Sequence, residues 1–298
     1  MSEQILIAGN EVIATSPEGQ TARMMLEALF ARVAPQRMDT GGVTLPHGIT
    51  NIIAEGPLTI WVHETSPRLY NLQWIADDSP APFGKGTTYR QVRLALPYVI
   101  VFAVFGPGPG GRLQLLGSNE CFFRTAPLHS LDDELHFPAL LNCSKFNPPN
   151  GRPLSWICTQ YLNLARLAVE PDQNKRLCAS FNALRHCLYE TGFNYSSEHH
   201  ESASWFSESR KCDERVSTVD QWQEASTRDP LFVLEVPWLK TGHSVGQVAA
   251  RIAKNLGIHK PEFNSAAAIA RVVFNQQGPA AVRRPNPDLV ELMHALGV

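Results

Sequence analysis

The stretch LTIWVHETSPRLYNLQWI, residues 58–75, decides the fold class. Its two halves, Leu58 to His63 and Leu69 to Ile75, are β-branched and aromatic, and Glu64 to Arg68, with Pro67 inside it, reads as the connection of a hairpin. Strand signals continue through Tyr89 to Leu96, Tyr98 to Phe105 and Leu113 to Leu116, with GPGPGG from Gly106 to Gly111 turning the last two. Such a series reads as an antiparallel meander. Upstream, Glu18 to Val33 reads as a helix, with Met24, Leu26, Leu29 and Phe30 interleaved with charge and Pro35 as its stop. Downstream the chain turns helical. Asp172 caps a helix to about Glu190, whose Leu177, Phe181, Leu184 and Leu188 keep helical spacing. Ser217 opens another, Leu231 to Val236 reads as one further strand, and helices follow over Val245 to Leu256, Ser265 to Phe274 and Pro287 to Leu296. The expectation is an α+β fold, an antiparallel β-meander followed by helices. A division near Gly242 separates an α+β domain, residues 1–240, from a small helical unit, residues 241–298.

Composition narrows the function classes. A chain of 298 residues, 44% hydrophobic and 18% charged, can bury a sizeable core. The net charge of −2 offers no basic excess to neutralise phosphates, so generic nucleic-acid or anionic-membrane binding has no electrostatic support. The N-terminal MSEQILIAGNEV lacks the flank and apolar run of a signal peptide, and no apolar stretch is long enough for a membrane span. Six cysteines without a secretion signal read as reduced thiols, which points to the cytoplasm. No CxxC is present, and Cys178 and Cys187, flanking His186, fall on different turns, so neither a metal nor another cofactor is expected.

Several motifs compete for chemistry. Gly242-His243-Ser244-Val245-Gly246 matches the GxSxG elbow of serine hydrolases, but few residues follow to supply an acid and a histidine on later strands. Ser244 with Gln247 three residues on makes a capping box, which is the simpler reading. The glycine-bearing stretches at Gly84 to Thr88 and Gly106 to Gly111 do not satisfy the phosphate-loop pattern. Glu198-His199-His200-Glu201 is the densest acid/base cluster. Adjacent histidines cannot share a helix face as the pair in HExxH does, so His199 or His200 is read either as part of a solvated helix entry or as a general base. Among the thiols, Cys121 and Cys187 lie among apolar neighbours. Cys143 and Cys158 lie at the long irregular segment, and Cys158 just precedes an expected helix from Thr159 to Leu167, whose N-terminus would favour thiolate.

The order of these pieces resembles the ubiquitin-conjugating fold, and within it the bacterial prokaryotic family D, the group that includes protein B of the PRTRC system. The resemblance rests on APLHSLDDELHFPALLNCSKFNPPNGRPLSWIC, residues 126–158, and extends over about residues 55–210. It implies a ubiquitin-conjugating-like core with a C-terminal helical extension. It also implies a thioester on Cys158, a flap at Phe137-Pro138, and Asn142 as oxyanion donor. The segment FNYSSEHHE would bring His199 or His200 toward the thiol. A His-Pro-Asn tripeptide is missing, Asn142 stands sixteen residues before Cys158, and Cys143 remains a rival nucleophile. The implied activity is that of a cysteine-dependent ubiquitin-like transferase, with a ubiquitin-like protein and its activating enzyme as partners. Two alternatives stay open: a non-catalytic α+β scaffold in a multi-protein mobile-element or defence complex, and a nucleic-acid reader built from the C-terminal helices, which carry Arg251, Lys254 and Lys260.

Overall fold

The structure, a computed structural model, describes residues 4–16, 18–28, 45–81, 85–108, 111–145, 153–159, 162–190, 192–193, 204–258 and 273. The chain forms two compact units, residues 1–41 together with 258–298, and residues 42–257. The helix following Gly242 therefore belongs with the larger unit. The expected helices at Ser265 to Phe274 and Pro287 to Leu296 lie outside the described residues, apart from Val273.

In the first unit β1 (Gln4–Ala8), β2 (Glu11–Thr15) and β3 (Thr21–Met25) form an antiparallel sheet in that order. This corrects the first part of the helix expected over Glu18 to Val33: residues 18–25 are turn and strand, and the chain becomes helical only at residues 26–28. Thr21–Met25 alternates, with Ala22 and Met24 buried and the intervening residues exposed, and β2 supplies the partner that makes this period of two win. A turn at Gly9-Asn10, with Gly9 at φ 61°, joins β1 to β2. Residues 29–33 lie outside the described residues.

The second unit is built around β8 (Tyr98–Pro107), whose residues Val99 to Phe105 are all buried, as expected of a central strand. Beside it lie β5 (Leu58–Thr65) and then β4 (Ile49–Glu55) on one side, and β10 (Glu120–Arg124) on the other, all antiparallel. Beyond β10 the sheet continues into the short strands β13 (Trp156–Ile157) and β12 (Cys143–Ser144). β9 (Leu113–Leu115) pairs with β8, and β11 (Glu134–His136) bridges β10 to β15 (Lys240–Ser244). The segments expected to form one meander are strands, but they do not form one sheet. β6 (Arg68–Ile75) and β7 (Tyr89–Leu96) pair with each other and, through β6, with β14 (Gly192–Phe193), while β5 pairs directly with β8. Pro97 stands between β7 and β8, where it interrupts the ladder because it has no N–H.

Among the described residues of the second unit the helices are α1 (Leu164–Ala168), α2 (Gln173–Tyr189), α3 (Trp205–Ser209), α4 (Val219–Arg228) and α5 (Val245–Asn255). Asp172 caps α2 by accepting from Lys175 N at 2.7 Å. Its Phe181 packs on Trp61 and His63 of β5, with ring centres 5.9 and 5.1 Å apart, and buried Arg176 donates from Nε to Leu113 O at 2.8 Å. α4 lies along β7: Arg93 N donates to Gln223 Oε1 at 2.8 Å and Ala95 N to Ser226 Oγ at 2.9 Å, while Trp222 Nε1 donates to Ala95 O at 2.9 Å. Its cap is Thr218, one residue beyond the expected Ser217. The strand expected at Leu231 to Val236 is instead a short 3-10 turn, Phe232–Leu234. Among the described residues no helix is long and apolar enough to cross a membrane.

Candidate functional site

The hairpin of β12 and β13 brings together the two ends of the segment singled out in the sequence. Cys143 stands opposite Ile157, and Cys158 N donates to Asn142 O at 2.8 Å. Sixteen residues of separation thus collapse to one hydrogen bond. Cys158 is half-buried, whereas Asn142 and Cys143 are buried. The Asn142 side chain points toward the end of α2, where Nδ2 donates to Leu188 O at 2.9 Å and to Cys187 O at 3.2 Å. An oxyanion role for this amide requires that link to be released. Phe137, placed in the flap by resemblance, is buried and stacked on Trp205 with ring centres 3.4 Å apart.

The expected helix start at Thr159 is corrected. The helix is α1, capped by Asn163 and only five residues long, so Cys158 does not sit at its N-terminus. Instead, Cys121, Cys143, Cys158 and Cys187 lie close enough to influence one another. Burial pushes the Cys143 thiol well up, helped by a hydrogen bond with Cys121 and by the charges of Cys121 and Cys158. Burial raises Cys187 to about 11, and Cys158 adds to the effect. Cys143 Sγ donates to Asn142 Oδ1 at 3.8 Å. Burial thus holds the Cys143 and Cys187 thiols neutral. Among the described residues no group of three or more His, Cys, Asp or Glu can hold a metal ion.

A buried carboxyl holds the lead-in to this hairpin. Glu120 Oε2 accepts from Leu154 N at 2.9 Å and Ser155 N at 3.0 Å. Burial pushes its pKa up to about 7, against the pull of those two bonds and of the Arg251 charge. No motif in the sequence marks Glu120, a lone acid before an apolar run.

A second region gathers polar groups. A cavity of about 590 Å³ opens beside β5 and is lined by His47, His63, Thr65, Arg68, Asn182 and Arg185, among others. The spacing of Cys178, Asn182 and Arg185 puts them on one face of α2. His63 is buried, hydrogen-bonds to the backbone of His47, and lies 3.5 Å from Thr65 Oγ1 through Nδ1. Burial, with the Arg185 charge next in size, lowers its pKa to about 4. Gly48, at φ +90°, closes the loop over the ring: a Cβ there would lie 2.7 Å from His63 Nε2. A histidine at an inward position of an otherwise apolar strand was the available signal for this region.

His199 and His200 lie outside the described residues, as does most of the basic C-terminal segment. The GxSxG serine is a helix cap: Ser244 N donates to Gln247 Oε1 at 2.9 Å, Ser244 Oγ accepts from Gln247 N at 3.4 Å, and Gly246 N donates to Leu131 O at 2.8 Å. Comparisons with known protein families, with curated proteins and with solved structures find no match for this chain.

Proposed function

We propose that this chain is a ubiquitin-conjugating-like protein that carries the C-terminal acyl group of a ubiquitin-like modifier as a thioester on Cys158. The observation that supports this reading is the hydrogen bond from Cys158 N to Asn142 O, which sets a half-buried thiol beside the segment that the resemblance assigns to the site. In the reaction the Cys158 thiolate attacks the carbonyl of an incoming thioester. A C–S bond forms to Cys158, the C–S bond to the donor breaks, and the donor leaves as a thiolate that takes up a proton. An amine or second thiol then accepts the acyl group. The modifier and its activating enzyme are the partners this reading requires.

A second reading is favoured by a specific observation. The Asn142 amide is spent on the end of α2, and Cys158 sits beside Cys143 and Cys187, whose thiols burial holds neutral, which suits a non-catalytic α+β binding subunit. One experiment separates the two. The native protein is incubated with a peptide thioester ending in Gly-Gly, and adducts are mapped by mass spectrometry. The thioester reading expects a hydroxylamine-labile acyl group on Cys158 that is lost in Cys158→Ala. Acylation absent in a folded protein, or placed on Cys212 or Cys178 alone, removes that reading and leaves the binding subunit.

A further inference from the structure

The cavity beside His63 is cationic. Its wall carries Arg68 and Arg185, and the only carboxylate among its described lining residues, Glu64, turns Oε2 to the backbone N of Leu128, which donates to it at 2.6 Å. Arg185 Nε is shut off from solvent with no hydrogen-bond partner, and among the described residues Arg185 makes no ion pair. The guanidinium charge of Arg185 is therefore not offset by a carboxylate among the described residues. The loop that bears His47 is held against the floor by the left-handed Gly48, so the wall is built rather than incidental. His63, at the floor, stays neutral near pH 7, which keeps the cationic field on the two guanidiniums.

We propose that this cavity binds a small molecule through a phosphate or carboxylate group paired with Arg185 and Arg68. A guanidinium fork matches either oxyanion. The volume, about 590 Å³, exceeds that of the oxyanion and leaves room for an organic body along Leu45, Pro46 and Pro67. This reading does not depend on Cys158, which belongs to a different region.

The test is calorimetric titration of the full chain with inorganic phosphate and, separately, with succinate, at low ionic strength and neutral pH. Saturable binding at about 1 mM or tighter is expected for at least one of them, weakened about tenfold in Arg185→Gln and competed by added chloride. Binding of phosphate alone identifies a phosphate ester as the ligand class, and binding of succinate alone a carboxylic acid. A second readout is the His63 ring titration by NMR: a bound anion offsets the Arg185 charge, so the midpoint rises from about 4 in its presence. If Arg185→Gln does not fold, Arg185→Lys serves, since it keeps the charge but loses the fork and is expected to bind more weakly. Failure of both probes to saturate, or affinity unchanged in folded Arg185 and Arg68 variants, overturns the proposal.

Discussion

The cavity beside His63 and the thiols around Cys158 meet the last turns of the same helix, α2, yet they answer burial in opposite ways. On the cavity side the helix presents Arg185 and keeps a neighbouring histidine uncharged, so positive charge stands in a concave, partly dry place. On the thiol side the helix offers its terminal carbonyls to Asn142, and the titratable groups nearby are thiols and one carboxyl that burial drives toward neutrality. One side keeps a charge, and the other removes it. The contrast teaches that the region with named chemistry in its sequence is the better satisfied of the two.

Acidity offers the sharpest way to break this comparison. Folded Glu120 keeps its proton up to about pH 7 and the unfolded group loses it near 4.5, so the folded chain binds more protons in between and stability falls as pH rises. His63 has the reverse sign. The unfolded imidazole protonates near 6.5 and the folded one only near 4, so stability falls as pH drops through that window. Each effect is worth about 3 kcal/mol, and between about pH 4.5 and 6.5 the two slopes oppose one another. Urea unfolding across pH 4 to 8 is therefore expected to be nearly flat in this window for the native chain. It should rise toward acid in His63→Gln and toward neutral pH in Glu120→Gln. Parallel curves for all three proteins would show that the two groups do not titrate on folding.

A smaller effect tests the link from the thiol side to α2. Asn142→Ala removes a buried donor that meets two carbonyls, and a loss of about 2 kcal/mol in chemical unfolding is expected. If that variant is as stable as the native chain, the amide is free to turn toward Cys158, which would strengthen its catalytic assignment. Smallest of all, Ser244→Ala is expected to lower stability by about 1 kcal/mol through loss of a helix cap, read by thermal melting.

The strands over residues 58–116 were legible because apolar alternation and β-branched residues are local properties. Their partners were not. That β5 skips past β6 and β7 to pair with β8 is a choice between surfaces distant in the chain, and no residue in LTIWVH records it. Thr21–Met25 was misread because five residues fit both periods, and only the pairing with β2 decides between them. In the candidate site, the approach of Asn142 to Cys158 followed the expected chain order. The missing helix at Thr159 did not, because the apolar residues Leu162 and Leu164 suggest a helix but the capping Asn163 starts it late. Arg185 was invisible, since its significance comes only from His63, far away in sequence.

The bonds that α4 makes to β7 carry a consequence in time. Arg93 and Ala95 reach acceptors 130 and 131 residues later in the chain, from a strand that among the described residues pairs with β6 alone. During synthesis at roughly 5–20 residues per second, that rim stays open for on the order of ten seconds after β7 is made. In that interval it is a template for any extended segment nearby, and until Gln223 and Ser226 emerge the nascent chain is at its most vulnerable to aggregation.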